Sequence, residues 1–227
     1  MNRGLISRYA GLVLLVAGAP ASIAPTSAEP QVVASSAPSP ARALQAAELL
    51  HDFGTSHDDP VALVSAARLL LAAGFAAEDD ELGDLTPQRV LREAAAMATT
   101  GSREEAIIAD TFASPRGVLQ GASTYHDMLK SGESTTYRMV FAGRELADVA
   151  VRLKGDVGAD IDIRVVDDQG QFVAGDELPT HGIVGHLAYT QWMPATCGEF
   201  EIQVVNNGDA EASFLLASRP SLSSGCR

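Results

Sequence analysis

Basic residues are scarce. Sixteen Lys+Arg face 29 Asp+Glu, a formal charge of -13 over 227 residues. The chain therefore lacks the cationic stripe that nucleic-acid phosphates or an anionic membrane surface require, and nucleic acid is excluded as a partner. No apolar run reaches the roughly 18 to 20 residues of a spanning helix, so the chain is expected to work in water. Cysteine occurs twice, at Cys197 and Cys226, and two thiols with no nearby His fall short of a four-ligand zinc site. Trp192 is the one tryptophan, and aromatics make up 5% of the chain. The signatures G-x-S-x-G, H-E-x-x-H and G-x-x-x-x-G-K-[ST] are all missing, so no residue is assigned a catalytic role. What remains, 46% apolar and 20% charged, is a globular composition.

The first residues carry an address. Arg3 and Arg8 precede an apolar stretch from Ala10 to Ala19, and small residues follow, the layout of a secretory signal peptide. Residues 1–28 are read as that signal, cleaved after Ala28 or, alternatively, after Ala21. Its removal takes two arginines and no acid, which moves the charge from -13 to -15, and leaves no transmembrane segment. The expected location is periplasmic or secreted. An oxidising compartment favours one disulfide between Cys197 and Cys226, with free thiols or an intermolecular bridge as alternatives.

Residues 29–40, rich in Pro, Ser and Ala, read as a linker. Helical periodicity follows. Ala46, Leu49, Leu50 and Phe53 make one face, closed by Gly54; Asp58 or Asp59 caps a second helix with Pro60 at its first position and Leu63, Val64, Ala67, Leu70 and Leu71 inward, closed by Gly74. Thr86 and Pro87 open a third helix carrying Val90, Leu91, Ala94, Met97 and Ala98, and Ser102 with Glu105 forms a capping box before Ile107, Ile108 and Phe112. Residues 41–114 are thus a small helical bundle.

At Gly117 the period changes to two. Tyr137, Met139 and Phe141; Val149, Val151 and Leu153; Ile161, Ile163 and Val165; and Phe200, Ile202 and Val204 each alternate with polar or small neighbours, among them Asp148, Ala150 and Arg152. These read as half-buried strands of an antiparallel sandwich with about eight strands. The expected fold is a two-part α+β chain, a helical bundle followed by an antiparallel β-sandwich, with a tail at 219–227. The alternating strands supply a core of their own, so residues 117–227 are expected to fold without the helices.

The run Asp160-Ile161-Asp162-Ile163-Arg164-Val165-Val166-Asp167-Asp168-Gln169-Gly170, then Trp192-Met193-Pro194, then Gly198-Glu199-Phe200-Glu201-Ile202-Gln203-Val204-Val205-Asn206 and Phe214-Leu215-Leu216, resembles the bacterial pre-peptidase C-terminal domain. The resemblance covers about residues 117–218. It implies a jelly-roll-like sandwich accompanying secreted proteins, here beside helices in place of a peptidase.

Several side chains invite a ligand. Asp156, Asp160 and Asp162 are the candidate calcium ligands, with Asp167 and Asp168 near them; Asp160 and Asp162 share one strand face, and that face is equally explained by solvation. Asp167, Asp168 and Gly170 also suit a tight turn. His51, Asp52, His57, Asp58 and Asp59 crowd one interhelical connection, where helix-end charge and capping offer an alternative to a metal; His181 and His186 sit on a Gly-rich loop. The run Glu78, Asp79, Asp80, Glu81 and Asp84 reads as a solvated loop. Trp192 is either a sugar-stacking platform or packing at the sandwich edge. Together these features suggest a non-catalytic exported accessory or binding protein whose helices contact a partner. The partner is an envelope or extracellular protein or a glycan. The alternatives are a polysaccharide- or matrix-binding module assisted by calcium, and a peptidase-associated regulator or hydrolase.

Overall fold

Alanine-rich helices with little bulk can lie close to one another and to a sheet, and here they do both. The computed structural model describes residues 39–76, 80–113, 123–155, 159–176 and 186–220. The signal, most of the linker, Asp156, His181, Glu78, Asp79 and Cys226 lie outside these residues. Helices α1 (Pro40–His57) and α2 (Pro60–Ala73), a 3-10 segment (Asp80–Leu85), α3 (Pro87–Met97) and α4 (Arg103–Ala113) precede the strands. The strands are β1 (Ser123–Leu129), β2 (Ser134–Phe141), β3 (Ala147–Leu153), β4 (Ile161–Asp167), β5 (Phe172–Asp176), β6 (Leu187–Trp192), β7 (Gly198–Asn206) and β8 (Ala212–Ser218). The result is an α+β chain with helices before strands.

Helix boundaries follow local chemistry. Asp59 caps α2, its Oδ1 accepting from the Val61 and Ala62 amides at 2.9 and 3.2 Å, and Gly74 ends the helix in the left-handed region at φ 96. Ser102 Oγ accepts from the Glu105 amide at 3.2 Å, while Glu105 reaches back one residue further than an ideal capping box, to the Gly101 amide.

Helix α1 departs from its expected form in two ways. It runs three residues past Gly54 to His57. Gly54 is a contact point, because a Cβ there would lie 2.7 Å from Leu63 Cδ2 of α2. The inward face is also rotated. Ala43, Leu44, Ala47, Glu48, His51 and Gly54 are buried, whereas Leu49 and Phe53 are 50% and 49% exposed. Polar side chains with internal partners displaced two large apolar ones.

The strands form two antiparallel four-stranded sheets, one in the order β1-β8-β3-β6 and the other β2-β7-β4-β5. Between the sheets lies a core that includes Phe141, Val149, Val151, Ile163, Trp192, Phe200, Ile202, Phe214 and Leu216. A second core lies on the far side of the first sheet. There Ala150, Leu187, Leu215 and Ala217 join Leu44, Leu63, Leu70, Leu82, Leu91 and other helical residues in one cluster. Every residue of β3 is consequently buried, which corrects the half-buried reading of that strand: the positions expected to face water, Asp148, Ala150 and Arg152, face helices instead. The arrangement is three layers, helices on one sheet and that sheet on the other, and all the described residues belong to one compact unit.

Candidate functional site

Burying a guanidinium demands partners for its donors. Arg152, on the helix-facing side of β3, is 1% exposed. Its Nε donates to Glu48 Oε2 of α1 at 2.8 Å, Nη1 to the Leu82 carbonyl at 2.5 Å and the Leu153 carbonyl at 3.3 Å, and Nη2 to Asp84 Oδ1 at 2.5 Å. Glu48 is itself 3% exposed. One side chain thus ties the middle strand of the sheet to α1 and to the 3-10 segment.

Other titratable groups gather around it. Burial pushes the Asp84 carboxyl up, but the charge and hydrogen bond of Arg152 outweigh this and hold it below the usual carboxylate range. Asp52 goes the other way: desolvation raises it, against the opposing charges of His51, His186 and Arg152. His51 meets Glu93 Oε2 of α3 at 2.9 Å, and since a carboxylate only accepts, Nε2 carries the hydrogen. At the opposite end of β3, Asp148 accepts from Ser39 Oγ and pairs with Arg42 at 3.3 Å, while burial raises its carboxyl.

This geometry sorts the residues singled out from sequence. His51 is buried at mid-helix, where no helix-end dipole acts on it, and bonds α3. His57 Nδ1 donates to the Phe53 carbonyl at 2.9 Å and stacks on the Phe53 ring. Asp58 takes the left-handed C-cap position at φ 51, and Asp59 caps α2. The five therefore do not converge. Asp52 does feel the charges of His186, Asp84 and Arg152. Asp84, expected on a solvated loop, is an ion-pair partner.

Asp162 Oδ2 accepts from Asn207 Nδ2 at 2.5 Å, and the Asp160 carbonyl accepts from the Asn207 amide at 2.7 Å, so this strand start is tied to the turn after β7. Among the described residues no group of three or more His, Cys, Asp or Glu is placed to hold a metal ion. Asp167 Oδ1 accepts from the Gln169 and Gln171 amides, and Gly170 sits at φ 75, a tight turn as read from sequence. Trp192 packs edge-on to Phe141 at 4.8 Å and beside Phe200 at 5.7 Å in the intersheet core, 6% exposed, so its ring offers no platform to a sugar. Cys197 is not a free thiol.

The sequence reading missed Glu48 and Arg152. The signal for them was a charged residue set among apolar neighbours in both elements: Glu48 continues the Ala41, Leu44 row of α1, and Arg152 stands between Val151 and Leu153. It also missed the outer face of the second sheet. Cross-strand register places Thr136, Gln203, Arg164 and Gly175 in one row and Arg138, Glu201, Val166 and Phe172 in the next. Arg138 is engaged by Glu201 at 2.9 Å. Phe172 is 56% exposed; the Arg164 guanidinium lies 5.8 Å from its ring centre. A Cβ on Gly175 would come within 3.1 Å of the Phe172 ring.

No protein family and no curated protein matches the chain. Among solved structures it is similar to the pre-peptidase C-terminal domain of a collagenase from Bacillus anthracis, at 15% identity over 43% of this chain and 88% of that chain, with a TM-score of 0.34. It is similar to a periplasmic inhibitor of g-type lysozyme from Aeromonas hydrophila at 12% identity, covering 44% of this chain and 87% of that one, with a TM-score of 0.33. CsCBM6-3 from Clostridium stercorarium, solved in complex with cellobiose, matches at 17% identity over 44% and 88% of the two chains, with a TM-score of 0.26. No helix among the described residues is long and apolar enough to cross a membrane.

Proposed function

We propose that the chain is an exported, non-catalytic binding protein in which the helices are a fixed cap and the second sheet presents the recognition surface. The observation that carries this reading is the Arg152 cluster. Its donors go to Glu48, Leu82, Leu153 and Asp84, so the strongest concentration of ionisable groups fastens two layers together. A guanidinium this deeply enclosed holds the helices in place and, at 1% exposure, is out of reach of a substrate. With the first sheet covered, the outer face of β2-β7-β4-β5 is the open one. We read the strand order as a jelly roll, two four-stranded sheets closing on each other. Export by the N-terminal signal and a Cys197–Cys226 bridge belong to the same proposal, the bridge tying the C-terminal tail to the sandwich.

The test applies the mature protein to a glycan array, to captured envelope proteins and to a broad panel of hydrolase substrates. Binding to one class of ligand without turnover is the expected result. Turnover of any substrate by the purified protein would favour the hydrolase reading instead.

A further inference from the structure

We infer that the outer face of the second sheet binds a neutral, hydroxyl-rich glycan chain, with Phe172 as the ring on which a sugar lies and Gln203, Thr136 and Arg164 as the groups that meet its hydroxyls. The inference rests on the binding-protein reading above and names the ligand class for that face.

The ring is built into the sheet. Phe172 pairs with Val166, whose side chain belongs to neither core cluster. Gly175 leaves the space in which the ring sits: a side chain there would meet the Ile163 carbonyl at 2.8 Å as well as the ring. An exposed aromatic at an edge strand exacts a solvation cost that the fold does not require, since Phe172 contributes to neither core.

The surroundings select among ligands. Beside this ring the face and its edge carry four valines, the buried Val166, the partly covered Val140 and Val205 and the exposed Val173, and the rest is Thr136, Arg138, Arg164, Glu199, Glu201 and Gln203. A protein interface buries about 800 Å² on each partner around an apolar centre, whereas here the one large exposed apolar group beside the charged and polar rows is the Phe172 ring, with Val173 next to it. A sugar has the matching character, a C–H face for the ring and a rim of hydroxyls that both donate and accept. Charge narrows the class further. The chain carries -13, and on this face Arg138 is engaged by Glu199 and Glu201, leaving Arg164 as the one guanidinium there without an ion pair among the described residues. That field repels a polyanion and admits a neutral chain.

Affinity electrophoresis of the full mature protein through gels containing hydroxyethylcellulose, xylan, soluble starch or laminarin, with polygalacturonate as the acidic comparison, tests this. We expect retardation by at least one neutral polymer and none by polygalacturonate. Phe172→Ala should weaken the retardation at least about tenfold, as loss of an anchoring aromatic does, and Gln203→Ala should weaken it less. Both side chains lie on the surface, and unchanged thermal melts of the variants will show that the fold is kept. Retardation by polygalacturonate alone, or by no polymer, would overturn the inference. So would neutral-polymer binding that Phe172→Ala leaves intact, although the binding-protein reading would then stand; turnover in the hydrolase panel is what removes that reading.

Discussion

Arg152 decides more of this fold than any other single side chain, because it is charged, enclosed and held by groups from three elements. Removing one partner of such a pair leaves an uncompensated buried charge, which costs about 3–5 kcal/mol, whereas replacing both by apolar residues is often neutral or stabilising. We therefore expect Arg152→Leu to lose about that much in urea unfolding, and Glu48→Leu with Arg152→Leu to recover most of it. A single variant within about 1 kcal/mol of the parent would mean that the pair is not the fastening it looks to be. Asp52 offers a test by pH. Its folded carboxyl is raised by desolvation, so its contribution to stability is most favourable below its unfolded value and is lost as pH rises through the higher folded value. Asp52→Asn should accordingly stabilise the protein at neutral pH, by less than about 1 kcal/mol for so partly exposed a group, and make no difference near about pH 3, where both side chains are neutral. Urea melts at the two pH values would measure this, and destabilisation at neutral pH would contradict it. The apolar neighbours of Glu48 and Arg152 are the one sequence signal of these roles, and it is a weak one, since an Arg at an alternate strand position is ordinarily solvent-facing and only the layer of helices above β3 makes it interior.

At the scale of elements, capping chemistry and periodicity were legible where a helix has one apolar face and clear ends. Asp59-Pro60 and Gly74 bound α2 as the residues indicate, and Val90, Leu91 and Ala94 face inward on α3. Asp59→Ala should cost about 1 kcal/mol by removing the acceptor for two amides, read as a shift of the urea midpoint; an unchanged midpoint would show that water replaces the cap. Helix α1 misled because its most apolar row, with Leu49 and Phe53, is not its buried row. Glu48 and His51 can occupy the interior only because Arg152 and Glu93 supply partners from elsewhere in the chain. Among the strands, alternation identified β2, β4 and β7, each with one side in the intersheet core. For β8 the run Phe214-Leu215-Leu216-Ala217 held a further message. Unbroken apolar character is what a strand buried on both sides requires, and in β8 both cores draw on it.

At the scale of the molecule, the period change near Gly117 does separate helices from strands, and the intersheet core is a complete one. The helices nonetheless share a second core with the outer side of β3, β6 and β8, and this bears on how the chain folds. A Cys197–Cys226 bridge is expected to protect both thiols of the mature protein from labelling, with Cys226→Ser costing no more than roughly 3 to 4 kcal/mol by loop entropy; modification of both thiols in the native protein would refute the pairing. The helices weigh more heavily. Without them Leu187, Leu215 and Ala217 would meet water and Arg152 would lose Glu48, Leu82 and Asp84. The most direct measurement is the thermal melt of a fragment spanning residues 117–227 beside that of the mature chain, followed by circular dichroism. We expect one cooperative transition for the mature chain and, for the fragment, aggregation or a broad, early loss of signal. A fragment that melts cooperatively, with the β-type spectrum of an intact sandwich, would contradict the three-layer unit and restore the helices to the standing of a separate domain.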